Sequence, residues 1–135
     1  MAKLCFVFLF LGILSGCQSS PAAAPQKYSP EFIKSAKYTW SLLQQASEGQ
    51  AVRDEDLSVA FADLESQAHT NDEVAAKITL HTNSLLLERL KYEHSKKDRE
   101  EIAAKMKMNH CELDAMLNKG IGAYEASKGC GENLP

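Results

Sequence analysis

The sequence predicts an all-α fold: a small bundle of about four helices with a short C-terminal return segment. Three observations predict it. No proline interrupts the chain between Pro30 and Pro135. Apolar residues recur at spacings of three and four, the mark of a helix with one buried face. No stretch combines period-two alternation with β-branched residues, so no strand is expected.

Each element has its own start and stop. Ser29-Pro30-Glu31 opens the first helix. Serine caps it, proline sits where its missing N–H costs nothing, and the acid lies at the positive end of the helix dipole. Phe32, Ala36, Trp40 and Leu43 share one face, with Ile33 beside them, and Gly49 ends the helix. Asp54 is the expected cap of the second helix, whose inner face is Leu57, Ala60, Phe61, Leu64 and Ala68. Thr70-Asn71-Asp72-Glu73 matches a capping box, in which the threonine reaches forward and the glutamate back. The third helix then runs to about His94, with apolar Val74, Ile78, Leu80, Leu85, Leu86, Leu87 and Leu90. That stripe is wider than one neighbour needs. Leu86 and Leu87 point about 100° apart, so at least one of them should face away from the main core. Ser95 opens the fourth helix, with Ile102, Ala103, Met106, Leu113 and Leu117 inward, and Gly120-Ile121-Gly122 breaks it. Ala123 to Lys128 makes a short fifth segment before Gly129-Cys130-Gly131.

The N-terminus precedes all of this with a different pattern. Leu4 to Leu14 is an eleven-residue apolar run without charge, and Lys3 stands before it. A run this short does not span a hydrocarbon core, which takes roughly 20 apolar residues. It ends in Leu14-Ser15-Gly16-Cys17. This box resembles the lipobox of bacterial lipoproteins. The resemblance implies that Cys17 carries lipid, that residues 1–16 are a removed signal peptide, and that a membrane is one partner through this anchor. An A-x-A-like site at Ala22-Ala23-Ala24 would suit an ordinary signal peptide, but the lipobox abuts the apolar run directly. The next residue is Gln18, not Asp. In enteric-type bacteria that resemblance implies export to the outer membrane, facing the periplasm. Residues 17–29 form a lipidated end and a Pro/Ala/Ser-rich linker, and residues 30–135 form the helical domain. Twelve linker residues reach about 40 Å when fully extended.

Cys111 and Cys130 remain after the signal is removed and Cys17 is acylated. An even pair in an oxidising compartment is expected to form a disulfide. Their placement fits one. Cys111 lies nine residues before Gly120 and Cys130 nine after Ile121, so a reversal at the break brings them level. At 1.5 Å per helical residue, each arm is about 14 Å long.

Charge and motifs exclude several function classes. Without the leader, 14 basic side chains face 18 acidic ones, a net of about −4 and not the basic footprint of a nucleic-acid binder. Glu48 to Glu73 holds eight acids against Arg53, while Arg89 to Lys107 is mostly basic. The two stretches are expected to face each other as complementary solvated surfaces. Of His69, His81, His94 and His110, the last adjoins Cys111, and neighbours on a helix point about 100° apart; a zinc site of Cys111, Cys130 and a histidine lacks the C-x₂₋₄-C spacing of closed sites, and an oxidising compartment favours the disulfide. No metal or cofactor is expected. G-x-S-x-G, S-x-x-K, H-E-x-x-H and a glycine-rich phosphate loop are all missing, so the chain reads as non-catalytic. His81, on the apolar side of the third helix, reads as a core histidine, and Met106, Met108 and Met116 read as core filling.

A tethered helical bundle without catalytic groups reads as a binding or assembly module with a protein partner in the cell envelope. Its layout is similar to that of the small helical outer-membrane lipoproteins that act as pilotins for secretion channels and pili. The resemblance implies an adaptor that receives an amphipathic helix of a client. It departs from that class in its cysteines, which bracket only the end of the domain. Leu86, Leu87 and Leu90 are the expected partner-binding residues. Two other readings are a plasmid or phage exclusion lipoprotein and a periplasmic enzyme inhibitor or ligand-binding lipoprotein.

Overall fold

The computed structural model describes residues 27–131. They form five helices: α1 (Pro30–Ser47), α2 (Asp54–Gln67), α3 (Asn71–Tyr92), α4 (Lys96–Lys119) and α5 (Ala123–Gly131). The expected helical bundle is what the chain forms. The N-terminal leader, Cys17 and the linker to residue 26 lie outside the described residues.

The helix boundaries follow local chemistry. Ser29 Oγ accepts the Phe32 N–H at 3.2 Å and caps α1, with Pro30 in the first turn. Thr70 and Glu73 form the full capping box of α3. Ser95 Oγ accepts the Asp98 N–H and caps α4. Gly120 ends α4 in the left-handed region at φ 65°, where a side chain would be strained. Two boundaries differ from the sequence reading. Asp54 does not cap α2; Arg53 occupies the cap position without a side-chain cap bond, and its guanidinium instead pairs with Asp56 at 2.7 and 2.8 Å. Asp54 is therefore the first helical residue, where its charge meets the helix dipole. The fifth segment also runs on through Gly129-Cys130-Gly131, because the bond from Cys130 to Cys111 holds that turn against α4.

Packing runs up and down. α1 pairs with α2, α3 with α4, α4 with α5, and α1 with α3. α2 also touches α3 through Phe61 on His81 and Lys77 with Glu65, while α4 touches α1 through His110 on Trp40. Both outer helices thus meet the α1/α3 pair. The core is built from Phe32, Ala36 and Leu43 of α1, Leu64 of α2, Ala76, Leu80 and Leu87 of α3, and Ile102, Met106, Leu113, Met116 and Leu117 of α4. Thr39 of α1 is buried, and its hydroxyl donates to the carbonyls of Ser35 and Ala60, so a small side chain lets α2 approach α1 closely.

The up-down order gives the domain two poles. One gathers the residues before α1, the α2–α3 connection and the α4–α5 turn. The other carries the α1–α2 and α3–α4 connections. α3 alone, at 22 residues, separates them by about 33 Å.

Candidate functional site: the pole where the chain enters and the outer face of α3

The linker enters the domain at a pole that is tied by hydrogen bonds between distant segments. Tyr28 is 4% exposed, stacks on Phe32 and donates its hydroxyl to the Ile121 carbonyl at 2.9 Å. Burial, followed by the charges of Asp72, Glu73 and Glu125, pushes its phenol well above the ordinary range. Thr70 Oγ1 donates to the Lys27 carbonyl at 2.7 Å. Lys27 Nζ lies 3.4 Å from Glu125, and the Ala123 N–H reaches Asp72 at 3.4 Å.

Glu73 is the keystone of this pole. Its side chain is buried, and its carboxylate accepts three backbone N–H groups: Ser29 at 2.6 Å, His69 at 2.9 Å and Thr70 at 2.9 Å. Burial raises its pKa, but the bonds from Ser29, Thr70 and His69 together outweigh burial and leave it below the ordinary carboxylate value. One side chain therefore completes the cap of α3 and fastens the cap residue of α1. The sequence reading placed Glu73 in a capping box but missed this second bond. Only tertiary proximity of Ser29, 44 residues away, supplies it.

α3 has two faces with different fates. Its inner seam is Glu73, Ala76, Leu80, Asn83 and Leu87, all buried. Asn109 Nδ2 of α4 donates to Asn83 Oδ1 at 2.9 Å across the core, while Asn83 Nδ2 is buried without a partner. Its outer face carries Ile78, Leu85 and Tyr92, 57%, 72% and 71% exposed. The expected partner-binding residues fall elsewhere. Leu87 belongs to the core, and Leu86 and Leu90 are half-buried and packed against it. Leu86 borders a small recess with Arg89, Asp98, Glu101, Ile102 and Lys105. Leu90 borders a shallow one with His94, Lys96 and Arg99, whose guanidinium donates to the Leu90 and Glu93 carbonyls at the end of α3. The residue of this helix that turns away is Leu85, while Leu87 lies in the core and Leu86 and Leu90 pack against it.

Other candidate groups resolve as follows. Cys111 and Cys130 are joined, with sulfurs 2.06 Å apart and Cα atoms 5.9 Å apart. The reversal at Gly120-Ile121 brings them level as their spacing requires. His81 is not a core residue: it is exposed, stacks on Phe61 at 4.3 Å and lies 3.9 Å from Glu65. His110 packs against Trp40, and burial lowers its pKa. Met106 and Met116 are buried and Met108 is half-buried. Ala103, read as inward, is exposed. The acidic and basic stretches meet at the far pole, where Asp54 adds to the upward pull of Glu88 on Lys91. Otherwise the basic stretch pairs locally, as Lys96 with Glu100 and Lys97 with Glu101. Among the described residues, no group of three or more His, Cys, Asp or Glu is placed to hold a metal, and no helix is long and apolar enough to cross a membrane.

No protein-family model, curated protein or solved structure matches this chain.

Proposed function

We propose that the protein is an outer-membrane-anchored periplasmic lipoprotein that acts as a non-catalytic binding and assembly factor, a pilotin-like adaptor for a secretion or pilus machine. The observation that carries the binding role is the outer face of α3, where Ile78, Leu85 and Tyr92 are exposed on a helix whose opposite face is core. Apolar side chains that recur every seven residues on one solvent face suit the packing of a partner helix. The anchor rests on Leu14-Ser15-Gly16-Cys17 and on the way Tyr28 and Ser29 fasten the entering chain to one pole. A domain gripped at the pole nearest its tether transmits the position of the membrane to whatever it binds.

The test has two readouts. Metabolic labelling with an alkynyl fatty acid should mark the wild-type protein and not Cys17→Ser, and fractionation should place the labelled protein in the outer membrane. Deleting the gene should leave a multimeric envelope channel unassembled or at the inner membrane, and Cys17→Ser should fail to restore it. Labelling that persists in Cys17→Ser would overturn the anchor. Normal assembly of every secretion and pilus channel in the deletion strain would overturn the adaptor role.

A further inference from the structure

The outer face of α3 repeats the pattern of the inner one. Ile78, Leu85 and Tyr92 are seven residues apart, with Thr82 and Arg89 at the intervening positions and Val74 half-buried at the near end. Spacings of four and three build a seam for a neighbouring helix. We infer that this outer seam docks a helix of another protein, one with apolar residues at the same spacing and an acidic residue set against Arg89. The inference rests on the binding-factor reading and specifies its partner.

Shape and charge select that occupant. The seam is one residue wide and runs about 21 Å from Ile78 to Tyr92, which is four helical turns. Arg89 is the charged residue within it, exposed and without a hydrogen bond or ion pair in the described residues. The acids toward α4 leave room for another. Asp98 and Glu101 lie across the recess beside Leu86 and Lys105, and Glu101 is already paired with Lys97 at 3.9 Å. His81 lines the opposite rim, 3.9 Å from Glu65. Glu93, four residues on, is the acid that Arg89 acts on through space without forming an ion pair, so a carboxylate on the partner would meet a cation that no acid among the described residues holds in an ion pair.

A second copy of this chain fits the seam poorly. In a parallel pair Arg89 would meet Arg89. In an antiparallel pair centred on Leu85, residue 89 lies opposite residue 81, so Arg89 would meet an imidazole and no carboxylate. Like charges facing each other destabilise the parallel arrangement, and the antiparallel one gives Arg89 no acidic partner. A membrane surface also fits poorly, because interfacial helices present a broad apolar face beside a face rich in lysine and arginine. Here the opposite face of α3 is buried in the core.

The test titrates the purified lipidated protein, in detergent, with two fluorescent synthetic helices of about 21 residues, enough to match the seam. Both carry leucine at alternating spacings of three and four; one has glutamate flanks and the other lysine flanks. The glutamate peptide should bind at least about tenfold more tightly. Leu85→Lys should weaken it by about tenfold or more, and Arg89→Gln should remove the preference between the peptides. Both variants should melt at the wild-type temperature. Equal binding of the two peptides, or full binding by Leu85→Lys, would overturn the inference. So would self-association in sedimentation that Leu85→Lys abolishes, which assigns the seam to a second copy. Binding of Cys17→Ser protein to phosphatidylethanolamine/phosphatidylglycerol vesicles, lost on adding Leu85→Lys, would assign it to the membrane and overturn it too. In intact cells, a photo-crosslinking residue at position 85 should trap a partner that one at position 124 does not. Crosslinks from position 124 alone would overturn the seam and keep the binding-factor reading. Crosslinks from neither would overturn both.

Discussion

The two faces of α3 are built on the same spacing, yet one is the centre of the core and the other lies in solvent. The inner seam has the poorer credentials by composition: Glu73, Ala76, Leu80, Asn83 and Leu87 include a carboxylic acid and an amide. The outer face offers Ile78, Leu85 and Tyr92. Burial was therefore decided by fit rather than by hydrophobicity. Ala76 is small and fully buried, Asn83 has a partner in Asn109, and Glu73 has three backbone donors waiting for it. Buried polar groups are tolerated when hydrogen-bonded, and here they hold three segments in register.

The sharpest way to break this comparison is at Glu73. Glu73→Ala strips partners from three backbone N–H groups, each costing about 1–3 kcal/mol when left unsatisfied. Some will recover water, so a net loss of about 4 kcal/mol is expected in chemical denaturation. Acid should act the same way on the wild type. The folded pKa of Glu73 lies below its unfolded value, so its contribution is complete above about pH 4.5 and disappears as pH falls through the folded pKa. Glu73→Gln should flatten the acid limb of the stability profile, and an unchanged limb would remove Glu73 from this role.

Next in size is the covalent clamp. Cys111→Ser with Cys130→Ser opens a loop of 19 residues' separation, worth roughly 3 kcal/mol in the chain-entropy model. α5 buries little apolar surface beyond Ala126 and the bridged Cys130, and a nine-residue helix is marginal in isolation. Amide exchange should therefore rise first in α5 and leave α1 to α3 protected.

A smaller effect tests the polar pair of the inner seam. Asn83→Ala leaves Asn109 without its acceptor and should cost about 1–3 kcal/mol. Replacing Asn83 and Asn109 together by leucine removes both desolvated amides, including the unpartnered Asn83 Nδ2, and should recover most of that loss. Non-additivity in this double-mutant cycle is the signature to measure. Smallest of all should be Lys96→Ala at the far pole. Its pairing with Glu100 is exposed at 3.9 Å, so the change is expected to stay within about 0.5 kcal/mol.

The termini of the helices were legible in the sequence because capping is local chemistry. Ser29, the Thr70/Glu73 box, Ser95 and Gly120 act within three or four residues of themselves, and each does what its position implies. The cysteine register was legible for the same reason, since one turn and two helical arms determine it. The cap of α2 was not: Arg53 and Asp56 satisfy each other across one turn, which leaves Asp54 inside the helix. The outer seam was hidden by composition. Counting apolar residues places Ile78 and Leu85 inward beside Leu80, and only the burial of Ala76 and Leu80 in the folded bundle shows which side is covered. His81 was misread by the same count, for it sits toward α2 and stacks on Phe61 at the surface.

The central claim is that α3 has one seam closed by its own domain and a second left open. Replacing one leucine on each with lysine tests it directly, with thermal unfolding as the readout. Leu87, 8% exposed, should not tolerate the charge, and Leu87→Lys should lose several kcal/mol or fail to fold. Leu85, 72% exposed, should accept it, and Leu85→Lys should melt within about 0.5 kcal/mol of the wild type. Comparable destabilisation by both would mean that the outer seam is already closed, and comparable tolerance of both would mean that the inner seam is not the core.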